Sequence, residues 1–332
     1  MNASTSPKPA RIFLLAQPRM TSNLLTRLLG LEGQPNIYYD EDTSYPFVDL
    51  DLVDTTMQLQ SSPADTWTED EKSRLKHGYQ RCFDKLDQYR VKGEADGKVV
   101  FAKEHCNLLW RPDAGGNTLS AEFTVSVSSQ QKNGHDDRLQ NPTVLPTAYL
   151  GDWKPIFLIR HPARSFISYY RAFVRLYESR PQAELCRCAQ DEYIESQLSF
   201  SFTRSLYDWY VEYSALKEDT AATPVVLDAD DYINRPELVS RLADILGLDA
   251  DRVQYTWSPR RDCLRSPITR VWKGTVASSS GVRKDKAAGD VDIEEEKKKW
   301  EAEFGESRAE MLRKCVVDAM ADYEYLKSKR FC

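Results

Sequence analysis

The sequence lacks the features that would direct a chain to or across a membrane. No apolar run approaches about 18 residues, which excludes a membrane-spanning helix. The first ten residues are polar and rich in Ser, Pro and Lys, unlike the charged, apolar and small-residue regions of a secretory leader. We therefore expect a cytoplasmic protein with no membrane partner, in which residues 1–10 form a flexible N-terminal stub.

Cysteine is scarce and unevenly placed. The chain has seven cysteines, an odd number, and they are scattered along its length. Cys186 and Cys188 form a C-x-C pair, but no second pair stands at the spacing of metal ligands. This pattern argues against a zinc site, and we expect reduced thiols and no bound metal.

Positive charge is in deficit, with a formal net charge of −6. This balance argues against nucleic acid as the main partner, although cationic residues in a local anion site remain compatible with it. The chain also lacks a G-x-x-x-x-G-K-[ST] motif. A Walker-type kinase or nucleotide hydrolase would therefore be without its phosphate-binding lysine and its magnesium-binding hydroxyl.

The length and composition predict one domain. A chain of 332 residues, 41% of them apolar, suffices for one sizeable α/β core, and it shows no internal repeat. We expect a single domain over 11–332. Two stretches lack regular patterning, 111–150 and 277–290, and such long loops are either lids and binding loops or solvated insertions.

The most informative segment covers residues 154–170, KPIFLIRHPARSFISYY. Its short apolar run is β-branched and aromatic, as in a strand that is buried on both faces. Arg160 follows this strand. Pro162 can then begin a helix on which Arg164 and Ser168 share one face. An arginine and a hydroxyl near a helix start favour an anion, although an amphipathic helix with surface ion pairs would show the same pattern.

A second strand is predicted over 11–16 (RIFLLA), and a polar loop and a leucine-rich helix follow it. Strand, short polar loop and helix form the layout of a phosphate-binding loop, in which backbone N–H groups and hydroxyls bind oxygens while a cation neutralises them. The cation in this loop would be Arg19. The other polar groups are those of Thr21, Ser22 and Asn23.

A third strand-like run, 98–102 (KVVFA), ends at Lys103, Glu104 and His105. At a strand end these residues would bring together a cation, a carboxylate and a group that titrates near neutrality, which suits general-base catalysis. The same three residues are also compatible with a structural role, in which His105 packs in the core and Lys103 and Glu104 pair at the surface.

A fourth strand is predicted over 224–227 (PVVL), and the acidic residues Asp230 and Asp231 follow it. Gly247 marks the end of the helix after them. Helices are predicted at 66–89, 236–246, 292–299 and 311–325.

Taken together, these segments resemble the sulfotransferases that use 3′-phosphoadenosine 5′-phosphosulfate (PAPS). The family motif P-[KR]-S-G-[ST]-T is similar to the loop 18–23 (PRMTSN). A second family motif has an arginine at a strand end and a serine eight residues later, often followed by Tyr-Tyr; Arg160 and Ser168 have this spacing and a following YY. The family's Lys-Thr-His resembles residues 103–105 (KEH). The acidic pair, a proline and a helix that ends in Leu-Gly-Leu follow in the same order, so the resemblance covers about residues 11–250.

The resemblance implies an α/β, three-layer P-loop-like fold with a central, mostly parallel sheet flanked by helices. It implies a transferase that moves the sulfuryl group of PAPS to a hydroxyl of a small-molecule acceptor and releases 3′-phosphoadenosine 5′-phosphate (PAP), without a metal. His105 would be the catalytic base, and Lys103 and Arg19 would stabilise negative charge. The implied donor-binding residues are Arg19, Thr21, Ser22, Asn23, Arg160, Ser168, Arg283 and Lys284. The last two only approximate the family's R-K-G-x-x-G-D element, and the run 270–274 (RVWKG) is an alternative to them.

Departures from the family leave alternatives open. Thr21 stands where the family loop has glycine, and Leu24 and Ala229 stand where cytosolic members have the tryptophan and tyrosine that flank the adenine. The chain could therefore be a descendant that binds a nucleotide but has lost or changed the transfer chemistry, or a nucleotide-dependent kinase. Glu104 and His161 are alternative bases. The oligomeric state stays open, with a homodimer as one option.

Overall fold

The computed structural model describes residues 10–51, 66–112, 123–127, 139, 141–177, 187–218, 222–260, 264 and 266–332. The stub expected at 1–10 lies outside these ranges except for its last residue. Much of the irregular segment expected at 111–150 also lies outside them.

Five strands form one parallel sheet with the order β2-β3-β1-β4-β5. The strands are β1 (Arg11–Ala16), β2 (Ile37–Tyr38), β3 (Val99–His105), β4 (Lys154–Ile159) and β5 (Val225–Asp228). The predicted α/β fold with helices around a central parallel sheet is thus confirmed. The observed β1 has the predicted bounds, whereas β3 continues to His105, past its predicted end.

Helices connect and flank the strands. In chain order they are α1 (Ser22–Leu28), α2 (Val48–Asp51), α3 (Glu69–Ala95), α4 (Cys106–Leu109), α5 (Thr147–Gly151), α6 (Pro162–Tyr177), α7 (Arg187–Gln197), α8 (Ser201–Lys217), α9 (Ala229–Asn234), α10 (Leu238–Leu246), α11 (Pro267–Ser278), α12 (Ile293–Phe304) and α13 (Glu306–Ser328). α11 extends to Ser278, and the segment after it contains one turn of 3-10 helix, Lys284–Lys286.

Local sequence signals explain where several helices begin and end. Thr68 and Glu71 form a capping box at the start of α3, in which each side chain bonds the other's backbone N–H. Pro162 is the first residue of α6. Gly247 ends α10 with a φ of 67°, a left-handed conformation that glycine adopts without a steric cost.

The core centres on β1, in which every residue is buried. Its apolar side chains pack into one cluster with those of the other strands and the surrounding helices. Arg11 is the charged exception, and its guanidinium pairs with Glu94 and Asp152. Burying an arginine at the amino end of this central strand is acceptable because two carboxylates compensate its charge.

Strand register determines which residues meet at the carboxyl end of the sheet. Ala16, the last residue of β1, is paired with His105 of β3 on one side and with Leu158 of β4 on the other. The loop after Ala16 therefore emerges beside His105 and beside Arg160, which follows β4. This edge is where parallel α/β sheets bind their ligands.

Among the described residues, no helix combines the length and apolar character needed to cross a bilayer. The same residues contain no group of three or more His, Cys, Asp and Glu side chains that could hold a metal ion. The cysteines at 82, 106, 315 and 332 are free thiols. The side chains of the C-x-C pair lie outside the described part of the chain.

Candidate active site

A cavity of about 410 Å³ lies at the carboxyl end of the sheet, within the range of small-molecule sites. We call it the strand-end cavity. It is lined by nine predicted site residues: Arg19, Thr21, Ser22, Asn23, Lys103, His105, Arg160, Ser168 and Arg283. Lys284 is exposed and does not line it. It is also lined by Trp272 and Lys273 of the alternative run 270–274, and by side chains that the sequence did not single out, among them Glu41, Asp42, Tyr45 and Lys286.

The loop between β1 and α1 has a strained backbone. Arg19 has a φ of 68° and Thr21 a φ of 65°, a left-handed conformation that costs a non-glycine residue about 1–3 kcal/mol. The Thr21 hydroxyl bonds the Met20 carbonyl at 2.6 Å and the Tyr232 hydroxyl. Tyr232 lies in α9, so a contact from a distant helix holds the loop in this conformation. Strain of this kind is concentrated at functional sites.

Arg19 connects the loop with two helices. Its Nε donates to Ser168 Oγ of α6 at 2.9 Å, and its Nη1 donates to the carbonyls of Val271 and Trp272 in α11 at 3.1 and 3.3 Å. Its guanidinium also lies 5.6 Å from the centre of the Trp272 ring. Burial and the nearby Arg160 lower the pKa of Arg19 to about 10, so the side chain still carries its charge at neutral pH.

Arg160 is a buried cation with an unused donor. Its Nη1 donates to the Arg19 carbonyl at 3.2 Å and its Nη2 to the Lys286 carbonyl at 2.7 Å. The Nε atom is buried and has no hydrogen-bond partner among the described residues. Burial lowers the pKa of Arg160. A buried unpartnered donor on a cation is costly, and an anion in the cavity would compensate that cost.

Lys103 and His105 share one face of β3, because side chains two residues apart in a strand lie on the same side. Lys103 Nζ donates to Asn23 Oδ1 of α1 at 2.9 Å. Burial and then the charge of Lys273 lower the pKa of Lys103 to about 8. His105 Nδ1 forms a hydrogen bond with the Tyr45 hydroxyl. Burial and then Lys103 lower the pKa of His105 to about 3, which keeps the imidazole neutral at physiological pH.

The two alternative bases lie elsewhere. Glu104 is on the opposite face of β3, where its Oε1 accepts from the Phe47 backbone N–H at 3.0 Å. His161 packs its ring against Tyr323 of α13, with ring centres 5.3 Å apart, and its Nδ1 accepts from the Ala163 N–H. Neither Glu104 nor His161 lines the strand-end cavity. Of the three candidates, His105 is the one with access to it.

Arg164 does not join the site with Ser168, although the two lie four residues apart in α6. Its guanidinium pairs with Glu296 of α12 at 3.3 Å and donates to the Ala288 carbonyl at 3.4 Å. The four-residue spacing predicted that Arg164 and Ser168 would share one helical face. The Arg164 side chain instead forms an ion pair with the Glu296 carboxylate. Arg164 therefore connects α6 with α12 and does not line the cavity.

The segment after α11 closes one side of the cavity. Arg283 lines the cavity, but its guanidinium is exposed and pairs with Asp285 at 2.7 Å. Lys286 also lines the cavity, and its carbonyl accepts from Arg160. The carboxylate of Asp230 accepts the backbone N–H groups of Ala288 at 2.8 Å and Gly289 at 3.1 Å. These bonds attach the segment to the first turn of α9, directly after β5.

The lining residues give the cavity a strongly positive character. Six cationic residues line it, against two acidic ones, whereas the chain as a whole has a net charge of −6. Three of these cations are paired with carboxylates: Lys273 with Glu41 at 2.9 Å, and Arg283 and Lys286 with Asp285 at 2.7 and 3.3 Å. An acidic protein that gathers cations in one place is suited to a small polyanion. The surplus, together with the unpartnered Arg160 Nε, fits a ligand with more than one phosphate or sulfate group.

Comparisons with known proteins agree with this chemistry. No protein-family model matches the chain. The chain is 33% identical to "Sulfotransferase ppzF" of Metarhizium majus (strain ARSEF 297) over 345 aligned positions, which cover 99% of both chains. It is 31% identical to the protein of the same name from Metarhizium rileyi (strain RCEF 4871), over 97% of this chain and 96% of that one.

Two solved structures are also similar in part. One is the sulfotransferase domain from the Synechococcus PCC 7002 olefin synthase, with a TM-score of 0.38 and 16% identity over 86% of this chain and 88% of that chain. The other is the sulfotransferase domain from the curacin biosynthetic pathway, with a TM-score of 0.35 and 13% identity over 90% of this chain and 98% of that chain.

Proposed function

The chain belongs to the sulfotransferase family, and from this membership we propose that it transfers the sulfuryl group of PAPS to a hydroxyl of a small-molecule acceptor. The observation that carries the proposal is the convergence of Arg19, Lys103 and Arg160 on one cavity beside the neutral imidazole of His105. Cations for a polyanionic donor and a base for a hydroxyl acceptor are the two requirements of this reaction.

The donor would be held at two places. Arg160 and Ser168 would bind the 3′-phosphate, with the unpartnered Nε of Arg160 as one donor. The loop residues Arg19, Thr21 and Ser22 would bind the 5′-phosphosulfate, together with Asn23, whose side chain already contacts Lys103. We propose that Arg283 and Lys286 complete the phosphate site from the C-terminal segment, because both line the cavity.

The chemistry is an in-line displacement at sulfur. PAPS supplies the sulfuryl group and departs as PAP when the bond between sulfur and the bridging oxygen breaks. His105 accepts the proton of the acceptor hydroxyl as the new oxygen–sulfur bond forms. Arg19 and Lys103 stabilise the negative charge that develops on the bridging and equatorial oxygens. Because these fixed cations supply the charge, the proposed mechanism uses no metal ion.

The proposal is tested by a transfer assay. The full chain is incubated with sulfur-35-labelled PAPS and a panel of phenols, alcohols and sterols, in the presence of a chelator. We expect a labelled acceptor and release of PAP without magnesium. Calorimetry with PAP, ATP and AMP, with and without magnesium, accompanies the assay.

The two alternatives give different results. Tight PAP binding without acceptor labelling or PAPS hydrolysis would replace the proposal by a nucleotide-binding descendant of the fold. Magnesium-dependent ATP turnover would replace it by a kinase or nucleotide hydrolase.

A further inference from the structure

The segment Ser44–Phe47 is attached to β3 on both sides of Tyr45. The backbone N–H of Lys103 donates to the Ser44 carbonyl at 2.9 Å. The backbone N–H of Phe47 donates to Glu104 Oε1 at 3.0 Å. Both anchors are buried, since Ser44 and Glu104 have no exposed surface. Tyr45 is therefore fixed relative to the strand that carries His105.

Tyr45 contacts both reactive side chains of β3. Its hydroxyl is hydrogen-bonded to His105 Nδ1, and the two rings lie edge to face with their centres 4.8 Å apart. The Lys103 ammonium lies 5.0 Å from the centre of the Tyr45 ring. A tyrosine that is fixed by the backbone and contacts both groups can orient them as a unit.

Glu104 occupies a buried position in which a carboxyl group destabilises the folded state. Burial raises its pKa well above the ordinary value, and its Oε2 has no hydrogen-bond partner among the described residues. A buried polar atom without a partner destabilises the fold. What the carboxyl group does provide is an acceptor for the Phe47 N–H, which holds the segment of Tyr45 in place.

The hydrogen bond between Tyr45 and His105 can be made in two ways. A neutral imidazole carries one proton. If Nδ1 carries it, Nδ1–H donates to the Tyr45 oxygen and Nε2 keeps a lone pair. If the Tyr45 hydroxyl donates to Nδ1, the imidazole proton is on Nε2, and the one basic nitrogen, Nδ1, is occupied by Tyr45 and is not available to an acceptor hydroxyl. The direction of this hydrogen bond thus decides whether Nε2 of His105 can accept a proton.

We propose that Tyr45 is a positioning residue that accepts a hydrogen bond from Nδ1–H of His105 and so keeps Nε2 as the basic nitrogen, with Glu104 holding Tyr45 in place through Phe47. The base role of His105 rests on the proposed function. The tautomer and its dependence on Tyr45 and Glu104 do not.

The tautomer is measured by long-range nitrogen–hydrogen correlation NMR on the full chain labelled with nitrogen-15. The chain has four histidines, and the spectrum of His105→Ala identifies the signal that is lost. We expect an Nδ1–H tautomer for His105 in the wild type and a mixture of tautomers in Tyr45→Phe. Glu104→Gln should keep the wild-type signal, because Gln can still accept from the Phe47 N–H. Glu104→Ala should resemble Tyr45→Phe.

Kinetics provide the second measurement. Tyr45→Phe should lower kcat by about 10- to 100-fold, by analogy with metal-binding histidines that lose the hydrogen-bond partner that orients them. The KM for PAPS should change little. The matched control is Tyr38→Phe, which removes a tyrosine hydroxyl from β2; the Tyr38 ring packs on Tyr89 of α3 and does not line the cavity. A melting curve for each variant checks that it is folded.

The outcomes separate this proposal from the proposed function. An Nε2–H tautomer in the wild type overturns the positioning role, and so does a tautomer that Tyr45→Phe leaves unchanged. If transfer is active and the tautomer is wrong, the proposed function stands and the positioning proposal fails. If no acceptor is sulfated but the tautomer responds to Tyr45 as expected, the positioning role stands and the proposed function fails.

Discussion

Arg19 Nε donates to Ser168 Oγ at 2.9 Å, although the two residues lie 149 positions apart in the chain. The bond joins the loop after β1 with α6, the two segments that we propose bind different phosphates of one ligand. When Arg19 is the donor, the serine hydroxyl proton remains available for a second acceptor. Ser168 can therefore bind a phosphate oxygen while it orients Arg19.

This arrangement predicts selective loss of 3′-phosphate recognition. Arg160→Ala should weaken PAP binding by about 1.5–3 kcal/mol, the contribution of a hydrogen bond to a charged group, and barely change the affinity for AMP. Ser168→Ala should act in the same direction with a smaller effect. Calorimetry with the two nucleotides measures both differences.

The matched control for Arg160 is Arg164→Ala. It removes an arginine from the same region, but Arg164 pairs with Glu296 outside the cavity, so PAP and AMP affinities should both stay close to the wild type. Equal losses for PAP and AMP in Arg160→Ala would show that this residue does not bind the 3′-phosphate.

The attachment of the C-terminal segment gives a second prediction. Asp230→Ala removes the acceptor of the Ala288 and Gly289 N–H groups, so these two amides should exchange their hydrogens faster. PAP affinity should fall as well, because the segment carries Lys286, whose carbonyl orients Arg160. Hydrogen-exchange mass spectrometry and calorimetry measure the two effects.

Asp231→Ala is the control for this variant. The Asp231 carboxylate is adjacent in sequence but pairs with Arg235 and Arg330. It should lower stability without changing exchange at residues 288 and 289. Unchanged exchange in Asp230→Ala would mean that the segment is held by other contacts.

The strands β1 and β4 could be predicted because a parallel strand buried on both faces is a continuous apolar run. The end of β3 could not. Its apolar run stops at Ala102, yet the ladder with β1 continues to His105. Lys103 and Glu104 are acceptable inside the sheet because Asn23 and the Phe47 N–H provide partners, and both come from other segments.

Much of the cavity follows from a general rule of topology. Arg19, His105 and Arg160 each follow or end a parallel strand, and neighbouring parallel strands end at one edge. Tyr45 and Lys273 could not be predicted in this way, because tertiary packing alone brings the segment 41–48 and α11 to that edge. The RVWKG run did contain a relevant signal, since Trp272 and Lys273 line the cavity.

Removal of the proposed base is the third prediction. His105→Ala should reduce turnover by roughly 10²- to 10⁴-fold and leave PAP affinity nearly unchanged. His161→Ala is the control, because this histidine packs against α13 and should affect stability more than turnover. Wild-type turnover in His105→Ala would remove His105 from the mechanism.

The fourth prediction concerns Arg19. Arg19→Ala should impair both PAP binding and transfer, since it removes the cation that donates to Ser168 and its bonds to α11. Arg19→Lys should retain much of the transfer, because lysine keeps the charge, but it cannot reproduce the three contacts of the guanidinium fork. The assay uses labelled PAPS and a chelator. Full transfer by Arg19→Ala would contradict a role for this side chain at the phosphosulfate.

The last prediction is a pH dependence that Lys103 determines. The pKa of Lys103 is lowered to about 8, so its positive charge is present below that pH and is lost as the pH rises through it. We expect kcat/KM for PAPS to fall above about pH 8, because this parameter reports the free enzyme. The pKa of His105 is about 3, so titration of this side chain should not change kcat/KM between pH 5 and 7.

The positive charge of Lys103 also determines how bound PAPS should change the pH dependence of turnover. An anion beside Lys103 favours its protonated form and raises its pKa, so the fall in kcat should occur at a higher pH than the fall in kcat/KM. Lys103→Arg keeps the charge at every pH of the experiment and should remove the alkaline fall. If Lys103→Arg shows the wild-type profile, another group causes the fall, and the charge of Lys103 is not what limits donor capture.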